Sequence, residues 1–208
     1  DRMNAVKEEA EEYFNISFPP YRYGQDNRTI TADIENRAIH NSLTAIKGFG
    51  KDVGEKLYQC SQIEHNSFIS VLKWLNEHSI KRATILPLIK IDYFMEFGNQ
   101  TELIRILDVF DYFNQGTLKK LNKTKITGGV SEDIIKKYAT DINGKGKILK
   151  TYTITDTEGL LMELERYIKN LNLPDIPIQT KIQNQIDVLG YVDLTTNRSE
   201  DRRKLFIN

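Results

Sequence analysis

The chain has a single cysteine, Cys60, among its 208 residues. No disulfide can form within it, and such cysteine usage suits a reducing compartment. It has no charge of one sign in excess: Lys+Arg and Asp+Glu both total 29. A globally basic nucleic-acid binder is therefore excluded, and any basic footprint must be local. It lacks an apolar run approaching the roughly 18 residues of a membrane span, and no signal-peptide pattern opens it. These absences predict a cytoplasmic protein with no membrane partner. No Walker-type loop is present, because Gly144-Lys145-Gly146 is a lone glycine-lysine turn. The histidines His40, His65 and His78 show no metal-ligand spacing with Cys60. No cofactor site and no small-molecule site is evident. No repeat recurs at solenoid periods. The chain opens on Asp1 and closes on Asp201-Arg202-Arg203-Lys204-Leu205-Phe206-Ile207-Asn208, and both ends read as cuts in a longer protein.

Hydrophobic residues make up 39% and charged residues 28%, enough to bury a core. Periodicity predicts helices over Arg2 to Phe14, Lys51 to Cys60, Phe68 to Glu77, Lys81 to Ile91, Thr101 to Phe113, Ser131 to Tyr138, Thr157 to Leu171 and Gln179 to Leu189. Ser67 is placed to cap the third of these, and Pro87 lies inside the fourth or restarts it. Strands are expected at Arg28 to Thr31, at Ile148 to Ile154, and at Tyr191 to Leu194 with Lys204 to Ile207. Glu35 to Leu43 is either a short strand pair or the entry to the turn that follows. The fold class expected is mainly α.

That turn is the most informative stretch. Ala45-Ile46-Lys47-Gly48-Phe49-Gly50-Lys51-Asp52-Val53-Gly54-Glu55-Lys56-Leu57 places two glycines about one aromatic, with a lysine on each side. Ile46, Gly48, Phe49, Gly50, Gly54 and Leu57 match the pattern of a helix-hairpin-helix. Gly48 and Gly50 free the backbone and leave no side chain between it and a ligand. Phe49 is expected to plug the hairpin into its own core, and Gly54 to let two helices pack closely. Successive N–H groups and the positive start of the next helix then aim at one point, which is an anion site. Lys47, Lys51 and Lys56 add charge for a phosphate. No base edge is read, so the contact would ignore sequence and respond to salt. The competing reading is a plain tight turn capping a helix.

Residues 16 to about 110 resemble the region after palm and fingers in bacterial C-family replicative DNA polymerases, the DNA polymerase III alpha-subunit family. Glu8-Glu9-Ala10-Glu11 to Phe18-Pro19-Pro20 is similar to that family's helix followed by an extended proline segment. Ile39 to Gly50 resembles its "I-x-x-x-L-x-x-I-K-G-h-G" line, and Phe68-Ile69-Ser70-Val71-Leu72 its "F-x-S-h-x-D-h" segment. Ile80-Lys81-Arg82 through Leu88-Ile89-Lys90, Phe94, Phe97-Gly98-Asn99-Gln100 and Leu103 resemble its "N-K-R…L-I-x-x-G-A-F-D-x-x-G-x-R-x-x-L" run. The likeness lapses after about 114 and returns at Gln185 to Tyr191, where the family has a line preceding its OB-fold.

The resemblance implies a tandem helix-hairpin-helix domain over 35–114. It follows an end-of-fingers region over 1–34. A divergent α/β linker over 115–190 comes next, then strands over 191–208 at the edge of an OB-like sheet. It implies a non-catalytic region that grips double-stranded DNA by its phosphates. Lys47, Gly48, Phe49, Gly50 and Lys51 would make the contact, with Lys56, Lys81 and Arg82 as a second tier. The parent would be a DNA-directed DNA polymerase, a nucleotidyltransferase, whose Mg²⁺ and paired carboxylates lie in a palm outside this chain. Two departures stand out. Asp92 occupies the second hairpin's glycine position, which argues against a phosphate there, and Asn99-Gln100 replaces an arginine. The family's sliding-clamp peptide has one candidate, Gln115, Leu118 and Leu121, which lacks the aromatic end. A protein-interaction segment over 114–190, docking to the clamp or another replisome subunit, is the alternative function. A helix-hairpin-helix nuclease or glycosylase using Asp52 and Lys56 is the enzymatic one. The acid pairs Asp108/Asp111, Glu132/Asp133 and Glu163/Glu165 read as solvated helix faces. Cys60, Phe68 and Trp74 read as core.

Overall fold

The computed structural model describes residues 2–113, 120–123, 130–142 and 145–192. It is mainly helical, with two small antiparallel sheets. The helices are α1 Arg2–Phe14, α2 Lys51–Ser61, α3 Phe68–Glu77, α4 Arg82–Lys90, α5 Gln100–Phe113, α6 Glu132–Tyr138, α7 Thr157–Asn170 and α8 Ile178–Leu189. The strands are β1 Thr31–Asp33, β2 Ala38–His40, β3 Lys120–Asn122, β4 Ala139–Ile142 and β5 Ile148–Ile154. The expected strands beyond residue 192 lie outside the described residues.

Contacts group the chain into two compact units built from non-consecutive segments. The first gathers the residues up to Glu64, Leu75–Gln100 and the segment from Ile176; the second gathers His65–Trp74 and Thr101–Asp175.

In the first unit, α2 turns Leu57 and Cys60 inward and α4 turns Ile85, Leu88 and Ile89 inward. Each set follows the three- and four-residue spacing of one helical face. Pro87 sits inside α4, and the helix continues across it. A proline removes one backbone donor, and the apolar positions on either side of it, Ile85, Leu88 and Ile89, stay buried. α4 ends in a Schellman motif: the N–H of Tyr93 bonds the carbonyl of Leu88 at 3.0 Å and that of Asp92 bonds Ile89 at 3.0 Å. β1 and β2 form a hairpin in the register Ala32↔Ile39, and at the other edge of β2 the Ile39 N–H donates to the Ser17 carbonyl at 2.9 Å. The extended piece expected at Arg28 to Thr31 thus falls slightly later, at Thr31–Asp33.

In the second unit, α5 buries Leu103, Ile106, Leu107 and Phe110, and α7 buries Leu160, Leu161, Leu164 and Ile168. β5 is the centre of a three-stranded sheet in the order β3-β5-β4, with Leu121 opposite Tyr152 and Thr140 opposite Thr153. Only β5 was long enough to show alternation in the sequence. β3 and β4 have 3 and 4 residues, too few for a period to emerge. α3 starts in a doubly capped turn. Ser67 Oγ accepts from Ser70 N–H at 3.1 Å, as its position predicts. Glu165 accepts from the N–H groups of Phe68 at 2.9 Å and Ile69 at 2.8 Å. Glu165 is 4% exposed, so the reading of Glu163/Glu165 as a solvated face fails for this residue. Its charge is held by the helix-start amides and by Lys169 Nζ at 3.1 Å. Glu163 instead pairs with Lys137 at 2.5 Å and takes the Tyr138 hydroxyl at 2.6 Å. α7 is capped by Asp156, which accepts from Gly159 N–H at 2.9 Å. A Cβ on Gly159 would lie 2.6 Å from the Tyr138 ring, so only glycine fits there.

Candidate nucleic-acid interface

The glycine turn is entered from Ser42, whose hydroxyl accepts from Thr44 N–H at 3.2 Å and opens a single 3-10 turn, Leu43–Ala45. An α-helix does not lead into it. Leu43 and Ile46 are buried and fix this approach to the first unit's core. Phe49 N–H then bonds the carbonyl of Ile46 at 3.1 Å, closing a β-turn with Gly48 in third position at φ +87°. That angle is the one a type II turn demands, and it favours glycine. Phe49 is half-buried rather than fully plugged into the core.

Gly50 differs from Gly48. Its φ is −89°, and a Cβ built on it would meet nothing within 4 Å. Neither backbone strain nor packing requires glycine at this position. It is the N-cap of α2, and no side chain caps that helix. The amides of Gly50, Lys51 and Asp52 find no acceptor among the described residues. The start of α2 therefore presents unfilled donors and the positive end of the helix dipole to solvent.

Lys47 and Lys51 are exposed, and neither has an ion pair among the described residues. Lys56 is different: it is half-buried and its Nζ lies 2.7 Å from Asp52. Its charge is largely spent on its own helix, which weakens it as the second-tier phosphate contact expected of it. Arg28 is occupied too, bonded to Asp26 at 2.9 Å and to Glu55 at 3.3 Å and lying over the Tyr58 ring. Gly54 faces the backbone of Asn27 and Arg28: a Cβ there would stand 3.5 Å from Arg28 Cα. The close approach expected between two helices is thus an approach of α2 to a loop.

The other two second-tier residues, Lys81 and Arg82, lie apart from this turn in sequence, at the start of α4. Lys81 is its N-cap and is exposed; its Nζ donates to the Asn76 carbonyl at 3.0 Å and side chain at 2.6 Å. Arg82 is half-buried and already engaged in an interaction within the chain. Of the clamp candidate, Gln115 and Leu118 fall outside the described residues. Leu121 is 2% exposed in β3, so its side chain belongs to the core of the second unit.

The turn after α4 has a left-handed residue where the resemblance puts the second hairpin's glycine, and it is Asp92, at φ +60°. Its carboxylate is 13% exposed and takes Lys181 Nζ at 3.3 Å and Gln100 Nε2 at 3.0 Å. Its carbonyl takes Arg22 at 3.2 Å, and Tyr23 N–H bonds the next carbonyl, that of Tyr93, at 2.9 Å. This turn is filled by its own chain. No sequence signal pointed to Lys181 or Arg22; the acid at position 92 was the only hint that the turn had been put to another use.

Beneath it, Tyr23 donates to Cys60 Sγ at 3.3 Å, and Tyr23, Tyr93, Phe94 and Phe97 pack edge to face. Burial pushes the Cys60 thiol up to about 11 and raises both tyrosines. Cys60 is protonated at neutral pH and is a core residue, not a nucleophile. His65 Nδ1 is bonded to Ser70 Oγ at 3.0 Å. Among the described residues no three His, Cys, Asp or Glu side chains are grouped to hold a metal ion. No helix among them is long and apolar enough to cross a membrane.

No protein-family model matches the chain, and no curated protein matches it significantly.

Proposed function

We propose that this chain is a non-catalytic duplex-DNA-binding region of a C-family replicative DNA polymerase, gripping the phosphate backbone through the hairpin Lys47-Gly48-Phe49-Gly50-Lys51. The observation that carries the reading is Gly50. It has open space around it and an ordinary φ, so neither packing nor backbone strain requires a glycine at this N-cap. Close approach of a phosphate to the first amides of α2 does explain it. Lys47 and Lys51, exposed on either side and without an ion pair among the described residues, supply the counter-charge. The resemblance of residues 39–50 to the polymerase line supports the same assignment.

Such a grip is indifferent to base sequence. It holds DNA while chemistry occurs elsewhere in the parent enzyme, where Mg²⁺ belongs to the palm. The second hairpin takes no part in it, because Asp92 puts a carboxylate where a phosphate would sit. The chain's balanced charge fits a local footprint of two lysines and a helix start. The finer architecture follows from this reading: 35–114 as a divergent pair of hairpins, the first entered from a 3-10 turn.

The test is fluorescence anisotropy of a labelled primer–template duplex, titrated with the protein at low and moderate salt. Lys47→Ala/Lys51→Ala should weaken binding by about tenfold at low salt and reduce the salt slope by about 2, one per phosphate contact. An unchanged slope in the double variant would remove the hairpin as the DNA site. Absence of binding to wild type at low salt would transfer the weight to a protein-docking role for residues 114–190.

A further inference from the structure

The far end of the β4–β5 ribbon carries side chains that its own fold does not bury. β3 pairs with β5 only from Thr151 to Thr153. β4 meets β5 again beyond that point, at Ile142↔Ile148, after a register shift between Thr140 and Ile142. Among the described residues no third strand pairs there, so the sheet continues as a two-stranded ribbon. Alternate residues of β5 share one face, and burial falls steeply along it. Ile154 and Tyr152 are 6% and 1% exposed, whereas Lys150 is exposed and Ile148 is 69% exposed. Ile142, opposite Ile148, is 54% exposed. A cross-strand aliphatic pair supports the register of a ribbon. Scattered apolar residues on a surface need no further explanation, but this pair is set among charges of one sign.

Lys145, Lys147 and Lys150 are all exposed, and the sequence has no acid between Asp141 and Asp156. Residues 119–150 hold nine lysines against three acids, so the balanced total of the chain hides a local excess of six positive charges. Two of those acids already hold cations. Asp141 takes Lys123 at 2.5 Å, and Glu132 takes Lys136 at 3.5 Å. Lys150 has no ion pair among the described residues.

We infer that the end of the β4–β5 ribbon is a second contact for duplex DNA, entering the major groove with Ile142 and Ile148 toward the bases and Lys145, Lys147 and Lys150 toward the phosphates. Shape and charge both select this partner. The major groove is about 12 Å wide and admits a two-stranded ribbon. Its walls are rows of phosphates, and thymine methyl groups on its floor offer the isoleucines an apolar surface. The inference takes its class of partner from the hairpin reading, but its site is built from other residues. The hairpin adds helix-start amides to its lysines and remains the tighter contact, so a short duplex fills it first.

Anisotropy titrations of the full chain with a labelled duplex separate the two contacts. Lys145→Ala/Lys147→Ala/Lys150→Ala should weaken binding by about tenfold at low salt and lower the salt slope by about 3. The same loss should appear when these changes are added to Lys47→Ala/Lys51→Ala. Ile142→Thr/Ile148→Thr keeps β-branched residues in the ribbon; it should weaken binding about threefold and leave the slope unchanged, because no charge is removed. Both ribbon variants should melt as wild type does, since the altered side chains are exposed. A ribbon variant with wild-type affinity and slope would overturn the inference even if the hairpin variant binds poorly. A ribbon variant that binds poorly beside a hairpin variant that binds normally would support it and remove the hairpin reading alone. Phosphatidylserine vesicles or a polyglutamate peptide serve as the other anionic probes. If the lysine changes abolish binding to either of these and leave duplex binding intact, the ribbon belongs to a membrane or an acidic protein and the inference fails.

Discussion

The turn before α2 and the turn after α4 share a left-handed residue and differ in everything that surrounds it. At the first, Gly48 carries φ +87°, nothing lies within 4 Å of a built Cβ, and the neighbouring lysines are exposed. At the second, Asp92 carries φ +60°, and Lys181, Gln100 and Arg22 all bond to it. One backbone shape thus serves two purposes. Where the donors are left open, a ligand can complete them; where a carboxylate faces inward, the chain completes itself. The same contrast separates two helix starts. α2 begins at Gly50 with no side-chain cap, whereas α3 begins on Ser67 and the buried carboxylate of Glu165.

The largest effect should come from emptying the filled helix start. Glu165→Ala leaves the amides of Phe68 and Ile69 without their acceptor in a buried site. It should cost about 3 kcal/mol in denaturant unfolding. A loss below about 1 kcal/mol would mean that Ser67 alone suffices as a cap.

Next comes the floor of the closed turn. The Cys60 thiol, with its folded value raised to about 11 from 9.0, favours the protonated form in the folded state. Its contribution is therefore fully present below pH 9.0 and is lost as pH rises through about 11. Tyr23 and Tyr93, also raised by burial, act in the same direction. Thermal melts across the alkaline range should show falling stability, with a shallower fall in Cys60→Ala. A flat profile would contradict the burial of this cluster.

The turn before α2 should respond more modestly. Gly48→Ala forces a side chain into the left-handed region and should cost about 1 kcal/mol in unfolding free energy. The smallest effect sharpens the comparison most. Gly50→Ala should change stability by no more than about 0.5 kcal/mol, because space and φ both accept it. It should still weaken duplex binding severalfold. A variant that keeps both stability and affinity would return Gly50 to the status of an ordinary N-cap.

The helices were legible because each carries its own period. Leu103, Ile106, Leu107 and Phe110 are spaced for one face whatever they pack against, and all four are buried. The Ser67 cap was legible because its chemistry is local. Contacts made across long sequence distances were not. Glu165 reads as one more acid on a charged helix until the start of α3 is set beside it. Lys181 reads as a solvated lysine until α8 meets Asp92. β3 and β4 were missed because strands so short show no alternation, and they acquire identity only through pairing with β5. Of the candidate site, Gly48 and its flanking lysines followed from residue type and spacing. The neutralisation of Lys56 by Asp52 was also within reach, as a four-residue pair on one helix. The open space at Gly50 required coordinates.

The measurement that tests the central contrast most directly is a ¹⁵N-resolved amide-shift titration with a short duplex. An open first turn and a closed second predict shifts concentrated on Gly48 to Asp52, weakening with salt, and none at Ile91 to Tyr93. Shifts centred on the turn after α4, or spread over the second unit with the turn before α2 unmoved, would contradict it.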